Sequence, residues 1–482
     1  MSYQDKTSDI VVNHQYIKQV ADWLLMPALF AGMKTKCTAT WLPRMLAVTA
    51  LLWAVGEQTN LTDRFETARK VVGKIFRWRP APGETYQGFM KMLRKWHVRL
   101  KLAIIPHAQV QMREVLPNQW EIAGYVVYAG DGSRVEVGRT QSLEEAFSPK
   151  RKKEARKTKS KKGQQTKQQG KQNDRAKQKQ SEESVAKKEN SPQMWLTLIW
   201  HVGTGLPWTW RTGSSDSSER AHLQEMLAEL VENSLITADA GFVGYDFWAA
   251  ILHAKHNFLI RVGSNVRLLK KLGYARQHAQ TVYLWPDSAG NKKQPPLVLR
   301  LIVVHNGKHP VYLVTNLTKS QLSDSQAASI YSARWGIELY FRTFKQTFGR
   351  RKLRSRSAKN ANLELDWSII GLWCICLLGQ RELKADGADP ASLSPAAAIR
   401  AFQQTIREYR VRPERREETL WFKLRLALLD EYQRPGSKTS RNYPRKKKRQ
   451  YIQPPKVEQA TKSQIKLAQH FRAQQQEFRL PA

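Results

Sequence analysis

Between about Asn13 and Leu116 the apolar residues fall in clusters at helical spacing, such as Trp41, Leu42, Met45, Leu46, Leu51 and Leu52, with little strand-like alternation. This stretch predicts a helical N-terminal domain over residues 1–118. Asn60 and Thr85 stand just before the apolar-periodic runs Leu61–Ile75 and Tyr86–Leu100, where a side-chain oxygen can cap a helix N-terminus. The second run carries Lys91, Arg94, Lys95 and Arg99. The pair reads equally as a DNA-reading helix-turn-helix and as a bundle with a solvated basic face.

The pattern then changes. Tyr125-Val-Val-Tyr128 predicts a strand that ends in Gly130-Asp131-Gly132, and Met194–Val202 with Leu206–Trp210 predicts a hairpin turning at Gly203-Thr-Gly205. Asp216 and Glu219 resemble a capping box before a helix whose Leu223, Met226, Leu227, Leu230 and Val231 share one face. A short strand, Leu235-Ile-Thr237, runs into Asp239, so both aspartates are expected at strand ends. Phe258–Val262 is a further strand. A β-rich block follows, with Thr281–Trp285, Leu297–Val304 and Val311–Leu317, and Asn306-Gly307 predicts a tight hairpin turn. A helix bearing Glu338 comes next, then an apolar helix around Trp373. His201, His253 and His256 have no metal-type partner at fixed spacing, and Trp195, Trp200, Trp208 and Trp210 read as sheet packing. Asp246 and Asp287 read as cap and turn residues.

Charge narrows the range of partners. The 482-residue chain has 80 Lys and Arg against 41 Asp and Glu, a formal charge of +39, which favours a polyanion such as nucleic acid. Residues 148–192 hold +11 of this and almost no apolar side chains, which predicts a disordered basic insertion; +28 remains elsewhere. The C-terminal region is helical and basic, with Arg445-Lys-Lys-Lys-Arg449 near its end. The longest apolar run, Trp367–Leu378, is too short to span a bilayer and predicts a buried core helix, and no N-terminal signal pattern is present. Three cysteines, an odd number without metal spacing, fit a reducing cytoplasm.

Candidate chemistry gathers around Glu338. On a continuous helix at about 100° per residue, Tyr331, Arg334, Glu338, Arg342 and Lys345 share an arc of roughly 80°. Ile330, Ile337, Phe341, Phe344 and Phe348 cluster about 90° away as a core stripe. Taken alone, one acid among three cations reads first as a salt-bridged surface. The order of parts changes that: two aspartates at strand ends and a helical glutamate can converge on two divalent ions, and hard Mg²⁺ prefers carboxylate oxygens.

These residues carry a resemblance. Tyr331-x2-Arg334-x3-Glu338-x6-Lys345 matches the Y-x2-R-x3-E-x6-K signature of DDE transposases of the insertion-sequence-four type, and Asp131-Gly-Ser and Ala238-Asp239-Ala-Gly-Phe resemble that family's two Asp motifs. The likeness covers roughly Tyr125 to Gln380. It implies an α/β fold with an RNase H-like mixed sheet flanked by helices, formed by residues 119–264 and 318–385. A β-rich insertion subdomain, 265–317, lies between the second Asp and the Glu, and 386–482 form the helical, basic C-terminal region. It further implies that Asp131, Asp239 and Glu338 are catalytic and bind Mg²⁺ or Mn²⁺, as two ions, and that Tyr331, Arg334 and Lys345 contact a transposon end. Arg342 joins that DNA-binding set from its place on the helix face. The resemblance also implies a Trp that stacks a flipped end base, for which Trp285 is only a guess.

The implied protein is a bacterial, cytoplasmic, nucleoid-associated enzyme that acts on double-stranded DNA and pairs two ends as a homodimer, with no membrane partner. It would cleave the terminal inverted repeats by metal-activated hydrolysis and join the 3′-OH to target DNA. The alternatives are an RNase H-like metal-dependent nuclease without strand transfer and a non-catalytic DNA-binding remnant of a transposase.

Overall fold

A computed structural model describes residues 10–36, 39–77, 82–149, 192–306, 309–429 and 453–477. The basic insertion at 150–191, the turn residue Gly307, Cys37 and the run Arg445–Arg449 lie outside the described residues.

Four helices open the chain: α1 (Asn13–Leu24), α2 (Pro43–Val55), α3 (Leu61–Ile75) and α4 (Tyr86–Val115). Asn60 caps α3 by accepting from Thr62 N, and Thr85 caps α4 by accepting from Gly88 N. The last helix runs a full 15 residues past the expected end at Leu100, because its buried stripe continues through Leu100, Ile104, Ala108 and Met112. Pro106 lies inside it on an exposed face, where the carbonyl that loses its partner can be solvated.

The middle of the chain forms β1 (Val127–Glu136), α5 (Gln141–Phe147), β2 (Gln193–His201), β3 (Leu206–Gly213), α6 (Glu219–Met226), β4 (Leu235–Ala238), α7 (Tyr245–His253) and β5 (Asn257–Val262). Next come β6 (Arg267–Lys270), β7 (Thr281–Leu284), α8 (Asp287–Asn291), β8 (Leu297–Asn306) and β9 (His309–Thr315). The remainder comprises α9 (Asp324–Ala333), α10 (Gly336–Arg342), a π-helical turn at Thr343–Thr347, α11 (Ala358–Ala385), α12 (Pro395–Arg407), α13 (Leu420–Arg425), β10 (Lys456–Gln459) and α14 (Lys462–Glu477).

Among the described residues the strands form one mixed sheet in the order β10-β6-β7-β8-β9-β5-β4-β1-β2-β3. Strands β1, β2 and β3 are antiparallel neighbours, while β1, β4 and β5 run parallel. The β-rich block between Asp239 and Glu338 continues this sheet, because β9 pairs antiparallel with β5 from Leu259↔Thr315 to Val262↔Tyr312. Asn306 pairs with His309 at the end of the β8–β9 ladder.

Three local expectations are corrected. Strand β1 does not stop at Asp131: it runs on to Glu136, because β2 supplies partners along its whole length from His201 to Gln193. Helix α6 is capped by Ser218, not Asp216, and gives way after Met226 to a 3-10 turn at Leu227–Glu229. The run Trp367–Leu378 sits within a 28-residue helix, α11, that is long and apolar enough to cross a membrane. Its apolar window is 94% buried inside the molecule, against α2, α4 and β3, so it is a core helix as expected.

Arg350 ties these layers together just beyond the π turn. It is buried, and it donates to the carbonyls of Ala54, Gly56 and Phe348 and to Ser368 Oγ. One cation thereby saturates carbonyls at the end of α2 that would otherwise be buried without donors.

Candidate active site

The first carboxylate is placed by strand register. Val127, Tyr128 and Ala129 pair in parallel with Leu235, Ile236 and Thr237, so two further steps set Asp131 level with Asp239, just past the end of β4. Asp131 Oδ1 accepts from Gly132 N at 2.8 Å, and Asp239 Oδ1 accepts from Gly241 N at 2.8 Å. The second oxygen of each accepts no hydrogen bond among the described residues.

The two glycines beside Asp131 are explained by α6, which crosses β1. A Cβ at Gly130 would lie 2.3 Å from Leu223 Cδ1, and one at Gly132 would lie 2.5 Å from Glu219 Oε1. The strand must be bare here for the helix to approach. That approach brings a fourth carboxylate, Glu219, to the edge of the site. In the sequence it resembles part of a cap, and the signal that points to it is the spacing of Gly130 and Gly132 opposite a helix with an acid at its first position.

Burial, reinforced by Asp239 and Glu338, pushes Asp131 up to about 6, even though Gly132 N–H and Arg334 pull the other way. Burial, followed by Asp131 and Asp239, pushes Glu219 up to about 7. A carboxylate whose pKa rises on folding holds more protons folded than unfolded, so its contribution to stability falls as pH rises from the free value through the folded one. For Glu219 that window runs from 4.5 to about 7. Glu219→Gln should therefore raise the melting temperature at pH 8 by about 1–3 °C, after allowance for solvent screening, and change it little at pH 4. An equal shift at both pH values would show that Glu219 does not repel its neighbours.

Glu338 does not sit on the single helix the spacing suggested. Helix α9 ends at Ala333, α10 begins at Gly336, and Ile337 N and Glu338 N bond back to Arg334 O and Trp335 O across a tightened joint. The joint packs on β2: a Cβ at Gly336 would lie 2.1 Å from the Trp200 ring. Even so, most of the predicted face converges. Arg334 is buried, pairs with Glu338 Oε1 at 3.0 Å, and lies over the Tyr331 ring at 5.4 Å. Burial opposes its charge, but Tyr331, Glu338 and Asp131 more than compensate and raise its pKa. Lys345, half-buried in the π turn, donates to Ser133 Oγ at 2.6 Å, two residues beyond Asp131 on β1. Arg342 is not brought into this cluster; it is exposed and makes no ion pair among the described residues.

The remaining candidates are structural. Trp285 is 5% exposed, donates to Gln294 O and packs edge-on against Phe471, so it offers no stacking surface. Trp335 is the one exposed tryptophan among the described residues, at 47%, three positions before Glu338. His201 is buried, with its pKa pushed down to about 4 by burial, and His256 bonds Ser234 Oγ and Leu227 O. Trp200, Trp208 and Trp210 are buried in the hairpin.

Four carboxylates, two of which, Asp131 and Glu219, are raised by burial and by acidic neighbours, are the hard oxygen donors that suit Mg²⁺ or Mn²⁺. Among the described residues no three such groups are close enough to hold an ion as they stand, and Glu338 is engaged by Arg334. The donor chemistry fits a divalent ion.

Residues 122–374, more than half of the chain, match the family model described as transposase DDE domain. Over 168 residues the chain is 26% identical to the transposase InsG for insertion sequence element IS4 from Escherichia coli (strain K12), covering 33% of this chain and 37% of that protein. Over 134 residues it is 32% identical to the putative transposase y4zB of Sinorhizobium fredii (strain NBRC 101917 / NGR234), covering 26% and 36%. The matches thus span little more than a third of the length of these relatives. A cryo-EM structure of the piggyBac transposase synaptic complex with hairpin DNA aligns over 91% of this chain and 90% of its own, with 11% identity and a TM-score of 0.36, below the level that establishes a shared fold.

Proposed function

From the premise that the chain belongs to the transposase DDE domain family, we propose that it is a DNA transposase with an RNase H-like core, in which Asp131, Asp239 and Glu338 form the catalytic centre. The observation that carries this reading is the placement of Asp131 on β1 beside Asp239, just past the end of the adjacent parallel strand β4, with Glu338 held by the Arg334 ion pair. Asp131, Asp239 and Glu338 would hold one or two Mg²⁺ or Mn²⁺ ions. Bound there, such ions would polarise the attacking oxygen and neutralise the leaving one in both end cleavage and strand joining.

The protein's own groups do the rest. Lys345 and Arg334 hold phosphate charge against the carboxylates; both stand beside them and can turn from their present partners to the backbone. Tyr331 buttresses Arg334 from one side. Trp335 offers an exposed ring to an unpaired base at the same mouth. Half-burial of the carboxylates limits water at the reacting phosphorus. Double-stranded ends and target DNA are the substrates, and two copies of the chain pair two ends.

The test is a joining assay with precut ends of the element and supercoiled target DNA, in Mg²⁺ or Mn²⁺. Covalent joining is expected. Cutting without joining would replace this reading with that of a nuclease, and binding without either reaction would leave only a DNA-binding remnant.

Lys345→Ala is expected to weaken the end complex and to lower the slope of log affinity against log salt by about 1, the effect of one phosphate contact. An unchanged slope in a filter-binding titration would remove Lys345 from the DNA-contacting set.

A further inference from the structure

The stretch from Arg351 to Ser357 lies outside the catalytic cluster and outside the signature. It joins the π turn to α11 in an extended conformation in which Leu353 and Ser355 are buried while Lys352, Arg354 and Arg356 are exposed. Period-two alternation sets the exposed cations about 6.7 Å apart along one edge. The segment is fixed on both sides. Glu136 N donates to Arg351 O, and Leu353 N donates to Glu136 O, at the end of β1. Glu364, buried at the start of α11, accepts from Arg354 N and Ser355 N at 2.8–3.1 Å, and Thr140 Oγ1 donates to Arg356 O at 2.7 Å.

This ribbon leads into a cleft of about 690 Å³ between α4 and the start of α11, lined by Lys91, Arg94, His97, Lys359, Asn362 and Leu363. No acid lines it. Asp366 is taken up by His97, Lys101 and Trp210, so it does not neutralise the rim. Among the described residues Lys352, Arg354, Arg356, Lys359, Lys91 and Arg94 form no ion pair. Of the two acids beside the ribbon, Glu136 is paired with Arg351, and Glu364 is buried and taken up by the backbone N–H groups of Arg354 and Ser355.

A merely solvated charge run needs no rigid backbone, whereas here hydrogen bonds pin the backbone and leave the cations unpaired. We propose that Lys352, Arg354, Arg356 and Lys359, with Lys91 and Arg94 across the cleft, form a phosphate track that binds the sugar–phosphate backbone of duplex DNA away from the reacting bond. The track starts at Glu136, five residues beyond Asp131 on β1, or about 17 Å away at strand rise. That places it several base pairs from the reaction and makes it a site for affinity, not chemistry. The contacts are to phosphate, so they carry no sequence preference. This inference rests on the reading of the protein as a transposase acting on duplex DNA.

The test uses the full chain and a random-sequence duplex, with binding followed by fluorescence anisotropy across a salt titration. Arg354→Glu, Arg356→Glu and Lys359→Glu combined should reduce affinity by about 10–100-fold and lower the salt slope by about 2–3. The combined Gln variant, which keeps side-chain bulk, should move both in the same direction by less. Lys271→Glu, Lys292→Glu and Lys293→Glu combined change net charge equally at exposed sites on the β-rich block. If the control loses as much affinity as the track variant, or if both track variants bind like wild type, the track is overturned while the parent reading stands. Wild-type protein that binds no duplex would overturn both.

Discussion

Asp131→Asn, Asp239→Asn and Glu338→Gln should each reduce end cleavage and joining by on the order of a thousandfold or more, the scale of loss when one member of a catalytic unit is removed. The amides are chosen because they preserve shape and the bonds already made: Gly132 N–H can still donate to the side-chain oxygen at 131, and Gly241 N–H to that at 239. What they remove is the anionic oxygen that a hard cation requires. The same substitutions should leave duplex binding intact or slightly tighter, because each deletes a negative charge near the path of a polyanion. For Asp131→Asn there is a further sign to check. Its carboxyl is pushed up to about 6 by burial and by Asp239 and Glu338, so the amide should stabilise the fold at pH 8 relative to pH 4. A joining assay with precut ends, run beside anisotropy and thermal melting, separates these effects. Wild-type joining by any one of the three variants would remove that residue from the catalytic centre.

The sequence made the members of this site legible better than their setting. Glu338, Arg334 and Lys345 follow from spacing, and they do converge, yet the continuous helix that the spacing implies is broken between Ala333 and Gly336. Local periodicity carries no record of Trp200, a residue on β2 that presses on the joint. Asp131 was placed by its flanking glycines at a strand end, whereas it sits within β1. Its position beside Asp239 depends on pairing with β4, a contact between segments about a hundred residues apart. Glu219 reads as a cap because an acid at the start of a helix satisfies capping statistics, and the only hint in one dimension that α6 crosses β1 is the bare pair Gly130 and Gly132. The strands of the β-rich block are legible one by one, but its continuity with the central sheet through the β5–β9 ladder is likewise non-local. Helices whose caps and stripes lie within one segment, α3 and the first half of α4, were legible almost residue for residue.

Gly336→Ala tests whether that helical joint sets the chemistry. Glycine here is not required for a left-handed backbone; it is required because the Trp200 ring occupies the space of a Cβ, with three ring atoms at 2.1, 2.8 and 2.9 Å from where it would lie. Trp200 is only 6% exposed and held between β1 and β3, so the indole cannot swing aside as the end of a flexible chain would. Inserting a methyl group should cost about 1–3 kcal/mol by overpacking. The more telling effect is on geometry. Relief comes most easily by moving the joint away from β2, and Glu338 lies only two residues further on. A displacement of about 1 Å at a catalytic group can cost on the order of a hundredfold in rate. Gly336→Ala should therefore lower joining far more than it lowers the folded fraction at the assay temperature. Trp200→Phe, which shortens the ring where the methyl group would press, should restore much of the lost activity in the double variant. If Gly336→Ala melts lower but joins at the wild-type rate per folded molecule, the joint does not position Glu338, and its glycine serves packing alone.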